Sequence, residues 1–240
     1  EDLCWGSISD RVEDIHEAFR DKYVKAIITV IGGYNINQLL DYIDFKLIKE
    51  NPKIFCEFSD VTALSNAVYS KTRLVTYYGP HFSSFGMMHG FDYTLKYFKE
   101  MLTESKEVMI ESSNEWSDDS WYKDQENREF IKNDGMKVIN HGKAEGTIIG
   151  GNLCTLNLLQ GTEYMPNEEN IILFLEDDDL VKNEFVREFD RDLQSLIHSM
   201  RGKNIKGLVI GRAEKEANMT ENKWMEIIET KKNLKIYLLL

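Results

Sequence analysis

The chain has 240 residues, 42% hydrophobic and 29% charged, the profile of a soluble globular protein with one large or two modest domains and room for a substantial core. Lys and Arg number 29 against 41 Asp and Glu, a formal charge of −12 that repels phosphate backbones and anionic lipid, so extended nucleic acid and membrane surfaces are poor partners. Cys4, Cys56 and Cys154 lie far apart without metal-ligand spacing, which argues against a disulfide framework or a zinc site and points to a reducing cytoplasm. No apolar run approaches the roughly 18 residues of a membrane span, and residues 1–24 carry no secretory h-region.

In chain order, Val12, Ile15 and Phe19 recur at helical spacing, with Asp10 and Glu13 positioned for a capping box. Ala26–Ile31 (AIITVI) is continuously apolar and β-branched, the pattern of a strand covered on both faces. It stops at Gly32-Gly33-Tyr34-Asn35, after which Ile36, Leu39, Leu40 and Ile43 predict a helix. The same grammar repeats at Lys53–Phe58 (KIFCEF), followed by Ser59-Asp60 and a helix marked by Val61, Leu64 and Val68. Strand, tight turn and helix in succession predict a parallel α/β sheet.

From about Lys106 to Gly142 the chain is polar and acidic, with Trp116 and Trp121 set among carboxylates, and it reads as a connector or lid. Gly146–Ile149 then leads into Gly150-Gly151-Asn152, and the strand Ile171–Leu175 closes on Glu176-Asp177-Asp178-Asp179. Phe185, Phe189, Leu193, Leu196 and Ile197 mark a long amphipathic helix, Gly207–Gly211 another strand, Trp224, Ile227 and Ile228 a further helix, and Ile236–Leu240 the start of a last strand. The expected organisation is an N-terminal domain over residues 1–100, the connector over 101–142 and a C-terminal domain over 143–240.

Ser59 sits at a sharp strand-to-helix turn, where a hydroxyl is pushed off the carboxyl edge of a sheet and the following amides can face an oxyanion. Serine is also an ordinary N-cap at such a position, and the local pattern alone favours the cap. Gly32-Gly33 ends a neighbouring strand at the same edge, where an N–H without a Cβ can approach a reacting carbonyl; the bland reading is a turn needing positive φ, and a dinucleotide loop is weaker because GGYNIN lacks GxGxxG spacing. Glu176 also falls at a strand end, where a carboxylate can orient an imidazole. Its acidic neighbours could equally hold a divalent metal or form a solvated loop, and the loop is the commonest of the three.

Taken together, the blocks from IGGYNINQLL through FCEFSDVTALSNAVYSKTRLVTYYGPHFSSFGM, and GTIIGGNLCTLNLLQGTEYMP with ILFLEDDD and FDRDLQSLIH, resemble the LD-carboxypeptidase family of serine peptidases, in its branch of microcin C immunity proteins. The resemblance implies an α/β fold: an N-terminal Rossmann-like parallel sheet domain and a C-terminal mixed, mostly β domain with helices, the site lying between them. It implies a Ser-Glu-His triad with Ser59 as nucleophile and Glu176 as acid, an oxyanion hole from the amides of Gly33 and Asp60, Asn152 beside the substrate, and Trp116 or Trp121 against its nucleotide part. No cofactor and no metal are implied. The expected partners are a peptidyl or aminoacyl nucleotide, or a short peptide such as the L,D-linked tetrapeptide of peptidoglycan, and a second copy of the chain in a homodimer. The family's first strand would precede Glu1, and its triad histidine lies in a Gly-His segment beyond the strand that begins near Ile236. None of His16, His81, His89, His141 and His198 occupies a matching context, so the chain as given is expected to be inactive or nearly so, a non-catalytic fragment being the rival reading. Two residues before the nucleophile the family favours glycine, where this chain has Glu57, a carboxylate expected to strain the turn or repel an anionic substrate.

Overall fold

The structure, a computed structural model, describes residues 6–104, 106–178, 182–200, 204–231 and 238–239. Helix α1 (Ile8–Arg20) buries Val12 and Phe19, and it is capped by Ser7, whose hydroxyl accepts the Asp10 N–H at 3.1 Å. Asp10 therefore sits inside the first turn rather than at the cap, and the predicted capping box with Glu13 gives way to a cap three residues earlier.

Strand β1 (Ala26–Ile28) is shorter than its apolar run, with Val30 and Ile31 67% and 62% exposed. Past Ile28 the backbone is drawn away from the sheet by another segment: the N–H groups of Phe82 and Ser83 bond the carbonyls of Thr29 and Val30 at 2.8 and 3.2 Å. A β-branched run alone could not reveal that capture. The apolar spacing that follows becomes a 3-10 turn over Ile36–Tyr42, its first N–H held by the Asp60 carboxylate at 2.9 Å, before helix α2 (Phe45–Glu50). Strand β2 (Ile54–Glu57), a 3-10 turn (Ser59–Val61), helix α3 (Thr62–Thr72) and strand β3 (Tyr77–Tyr78) complete the first unit. Its sheet is parallel, in the order β1-β2-β3.

Helix α4 (Asp92–Thr103) follows, then a short antiparallel pair, β4 (Glu115–Trp116) with β5 (Ile131–Lys132). The second unit alternates strand and helix: β6 (Thr147–Asn152), α5 (Leu153–Asn157), β7 (Asn170–Glu176), α6 (Phe185–Ser199), β8 (Asn204–Ile210), α7 (Glu221–Thr230) and β9 (Leu238–Leu239). All its strand pairs are parallel, in the order β6-β7-β8-β9. The α/β class with parallel sheets is as the sequence predicts, and in this second half helix outweighs strand. Each helix serves as a crossover, because parallel neighbours cannot be joined by a hairpin.

One core runs through both units, from Phe19, Ile48 and Leu64 to Leu173, Phe189 and Trp224. Helix α3 is the seam. It is buried from Thr62 through Val68, and it packs on β2 at one side and on β6 and α5 at the other. Small and polar residues let it approach β6 closely: the Thr62 hydroxyl accepts the Asn152 N–H at 3.0 Å, and the Asn66 amide donates to the Gly150 carbonyl at 2.8 Å and the Thr62 carbonyl at 2.9 Å. Gly151, at φ 119°, has to be glycine, since a Cβ there would lie 2.5 Å from the Thr62 hydroxyl. Asn66→Ala removes both donated bonds and is expected to cost about 1–3 kcal/mol. Urea unfolding checks it, and an unchanged midpoint would refute this account of the seam.

Candidate active site

Both parallel sheets present their carboxyl ends to the seam, where open α/β sheets place ligands. At the end of β2 the chain turns through Ser59 at φ 58°, a left-handed conformation uncommon for a residue with a Cβ. Two contacts hold it there. The Ser59 N–H donates to the Tyr78 hydroxyl at 3.2 Å, and Gly32 lies directly behind, where a Cβ would come within 2.7 Å of the Ser59 Cβ and 3.0 Å of its Oγ. Only glycine permits that approach.

Gly33 follows against Asp60, whose Oδ2 lies 3.2 Å from the place a Cβ on Gly33 would take. The same oxygen accepts the Ile36 N–H, and the Asn35 amide also bonds the Asp60 carboxyl. The glycine loop is thereby stapled to the serine turn. Burial pushes the Asp60 carboxyl up, while these two amides and the Arg11 guanidinium act to keep it charged.

Glu176 is the last residue of β7, paired in register with Asn152 of β6. Its Oε1 accepts a short hydrogen bond from the Tyr78 hydroxyl, and the Asn152 side chain also bonds it. Burial raises the Glu176 pKa, and these two hydrogen bonds oppose the rise. The predicted nucleophile and acid thus come from different sheets and are joined through one phenol: Ser59 N–H to Tyr78, Tyr78 O–H to Glu176. Asn152 is buried, and its Oδ1 also accepts the Thr155 N–H at the start of α5.

The acidic loop after Glu176 packs on Cys154. The thiol of Cys154 donates to Asn152 Oδ1 at 3.0 Å, and Cys154, Asp177 and Asp178 bring one polar atom each within 4.8 Å of one another. Burial and the neighbouring carboxylates raise the thiol to about 12 and Asp177 to about 7. Asp179 lies outside the described residues.

The two tryptophans part company. Trp121 lines a cleft of about 1120 Å³ together with Phe58, Tyr78 and His81, the residues flanking the serine turn. Trp116 lies in β4 beneath the Arg212 guanidinium, 4.6 Å from its ring centre, and lines a neighbouring hollow instead. His81 packs on Phe58 with ring centres 5.3 Å apart; its Nδ1 is 3.1 Å from the Ser83 hydroxyl, and burial lowers its pKa against a hydrogen bond to the Val30 backbone that raises it. His16 accepts the Asp44 N–H at 2.9 Å and serves the packing of α1 on the turn before α2. Sequence reasoning missed Tyr78. The signal available was the grammar itself: a βαβ unit needs a third strand after α3, and its carboxyl end falls at Tyr78, just before Gly79-Pro80.

Two parallel sheets that bring a left-handed serine turn, the glycine loop packed on it and the Glu176 carboxylate together through Tyr78 define the α/β class of this protein. Residues 2–79 match the LD-carboxypeptidase N-terminal domain and residues 145–239 the LD-carboxypeptidase C-terminal domain, so the chain belongs to the LD-carboxypeptidase family. It is similar to the putative carboxypeptidase YocD of Bacillus subtilis (strain 168), 54% identical over 228 residues that cover 95% of this chain and 69% of that protein. The crystal structure of an MccF-like protein from Bacillus anthracis str. Ames superposes with a TM-score of 0.96 at 54% identity, over 100% of this chain and 73% of that one. A structure of MccF in complex with glutamyl sulfamoyl guanosine gives a TM-score of 0.80 at 30% identity, over 98% of this chain and 72% of that one. The chain spans 53% to 69% of the length of three curated relatives that it matches. No helix among the described residues is long and apolar enough to cross a membrane.

Glu57 does not face the cleft. It is 1% exposed and lies under the serine turn, where its Oε1 accepts the Ser65 hydroxyl at 2.8 Å and its Oε2 has no partner among the described residues. It therefore neither meets a substrate nor repels one. Burial, with smaller contributions from Glu176 and Asp60, pushes it from 4.5 to about 8. The folded protein holds this proton at pH values where the unfolded chain has released it, so the stability linked to Glu57 is complete below about 4.5 and declines as pH rises through about 8. Glu57→Gln is expected to flatten that decline. Melting temperatures of the two proteins across pH 5 to 9 check it, and parallel curves would refute a buried, protonated Glu57.

Proposed function

We propose that the site performs amide hydrolysis through an acyl-enzyme, with Ser59 as nucleophile. The observation that carries this reading is the Tyr78 hydroxyl, which holds the backbone of the strained serine turn and the Glu176 carboxylate at once. A serine at a bare N-cap has no need of a buried carboxylate brought from a second sheet. The Gly33 and Asp60 amides are the proposed oxyanion donors: the glycine loop is pinned beside the turn, and backbone N–H groups fixed before reaction stabilise developing charge without reorganising. Glu176 is the proposed orienting carboxylate for an imidazole base, as in a Ser-His-acid triad. The base itself is proposed to come from a Gly-His segment of the kind the family carries, added to residues 1–240. Ser59 without it is a weak nucleophile.

The proposed substrate is a peptidyl or aminoacyl nucleotide. The aromatic wall of the cleft beside the serine turn, which includes Trp121, offers a stacking surface for a base, and MccF, whose fold this chain shares, is seen with glutamyl sulfamoyl guanosine. Asn152, buried at the seam beside Glu176, is proposed to contact the acyl portion.

The test uses the protein with and without an appended Gly-His segment. A serine-directed fluorophosphonate is expected to label Ser59 much faster in the extended form, and Ser59→Ala to abolish labelling. Hydrolysis of an aminoacyl sulfamoyl adenylate is expected to fall by several orders of magnitude in Ser59→Ala and on the order of 10⁴-fold in Glu176→Gln. Turnover of an L,D-linked tetrapeptide alone would replace the substrate class. Absence of labelling in both folded forms would overturn the hydrolase reading.

A further inference from the structure

Tyr78 belongs to a two-residue strand, and its ring is wedged between the two halves of the site. Ring centres lie 5.5 Å from Phe58, the residue before the nucleophile, and 6.0 Å from Phe174, two residues before the acid. A Cβ on Gly151 would sit 3.1 Å from the Tyr78 ring, so β6 closes the remaining side. The phenol cannot swing, and its oxygen is fixed where the Ser59 N–H reaches it from the first sheet and Glu176 from the second.

A phenol carries one proton. Here that proton goes to Glu176 Oε1, because the Ser59 N–H can only donate and so takes a lone pair of the oxygen. Tyr78 is therefore spent as a donor and cannot act as a general acid or base toward substrate. What it can do is supply Glu176 Oε1 with a fixed partner and hold the serine backbone in its left-handed turn.

Resting on the hydrolase reading above, we propose that Tyr78 is a positioning residue for that reaction: its hydroxyl holds and orients Glu176 while anchoring the Ser59 turn, coupling nucleophile and acid across the seam between the two sheets. A ring that merely filled the seam would need no hydroxyl. The two roles differ in one measurable respect. Packing is preserved when the hydroxyl is deleted, whereas a buried carboxylate that loses a hydrogen bond to its charged form protonates more readily.

The experiment follows the Glu176 carboxyl by NMR in protein carrying ¹³C-labelled glutamate, assigned with Glu176→Gln. Tyr78→Phe is expected to raise the Glu176 titration midpoint by about one to two pH units. The acid limb of fluorophosphonate labelling at Ser59 is expected to move by the same amount, with a fall in kcat/KM of about ten- to a hundredfold and little change in KM. An unchanged midpoint in the folded variant overturns the proposal. If Tyr78→Phe does not fold, the unsubstituted protein decides: a downfield, slowly exchanging Tyr78 hydroxyl proton that disappears in Glu176→Gln supports the bond, and its absence overturns it. A shifted midpoint without any labelling of Ser59 leaves the Tyr78–Glu176 coupling standing and removes the hydrolase reading instead, while labelling with an unshifted midpoint does the reverse.

Discussion

The architecture depends on how closely helix α3 can approach strand β6. The two parallel sheets meet at that contact, and their carboxyl ends converge there only because nothing larger than hydrogen stands on Gly151 opposite the Thr62 hydroxyl. The approach also leaves polar backbone groups in a dry interface, where an unpaired group is costly. Thr62 and Asn66 meet that cost by taking the Asn152 N–H and supplying the Gly150 carbonyl. Hydrogen bonding from side chains of one unit thus completes the edge strand of the other. The same registration sets Glu176, the β7 partner of Asn152, against Tyr78 of the first sheet.

From this contact the strain at Ser59 becomes intelligible. A left-handed turn persists when its surroundings over-determine it. Gly32 blocks relaxation from behind, Tyr78 holds the amide in front, and Asp60, one residue on, is tied by the amides of Asn35 and Ile36. The restraints come from the glycine loop and from β3, both remote in sequence, so the turn is set by the tertiary fold and not by the residues around it.

That distinction separates what the amino-acid order discloses from what it hides. Ser59 and Glu176 were legible because each ends an apolar β-branched run, and the end of a parallel strand is a place defined by local pattern. Helix α6 was legible for the same reason, its apolar stripe repeating through Phe185, Phe189, Leu193 and Leu196. Tyr78 was not, because a strand of two residues has no alternation to detect and its importance lies in what two distant segments bring to it. The end of β1 was misjudged since Val30 and Ile31 read as core, and only the carbonyl bonds from the Phe82–Ser83 turn show why they are outside. Trp116 and Trp121 were indistinguishable on a stretch without periodicity; the β4–β5 pairing places one under Arg212, and the other lines the cleft. Glu57 misled in another way: a charge beside a nucleophile reads as facing substrate, yet strand alternation turns it inward beneath the turn.

Three carboxyl groups, the buried Glu57 and Asp60 and the half-buried Glu176, interact within one small volume of a chain whose formal charge is −12. Like charges so placed cannot all ionise cheaply, and burial raises each of the three. The fold resolves the conflict by giving each a different environment. Asp60 receives backbone amides and the field of an arginine, Glu176 receives a phenol and a carboxamide, and Glu57 receives one serine hydroxyl and, among the described residues, no partner for its second oxygen. Glu57, pushed up to about 8, is then the group that keeps its proton. Environments that drive neighbouring carboxyls apart in acidity are how a single site assigns them separate tasks. Here the split leaves one carboxyl tying the glycine loop to the serine turn, one bonded to Tyr78 at the seam, and one packed beneath the turn with its proton held.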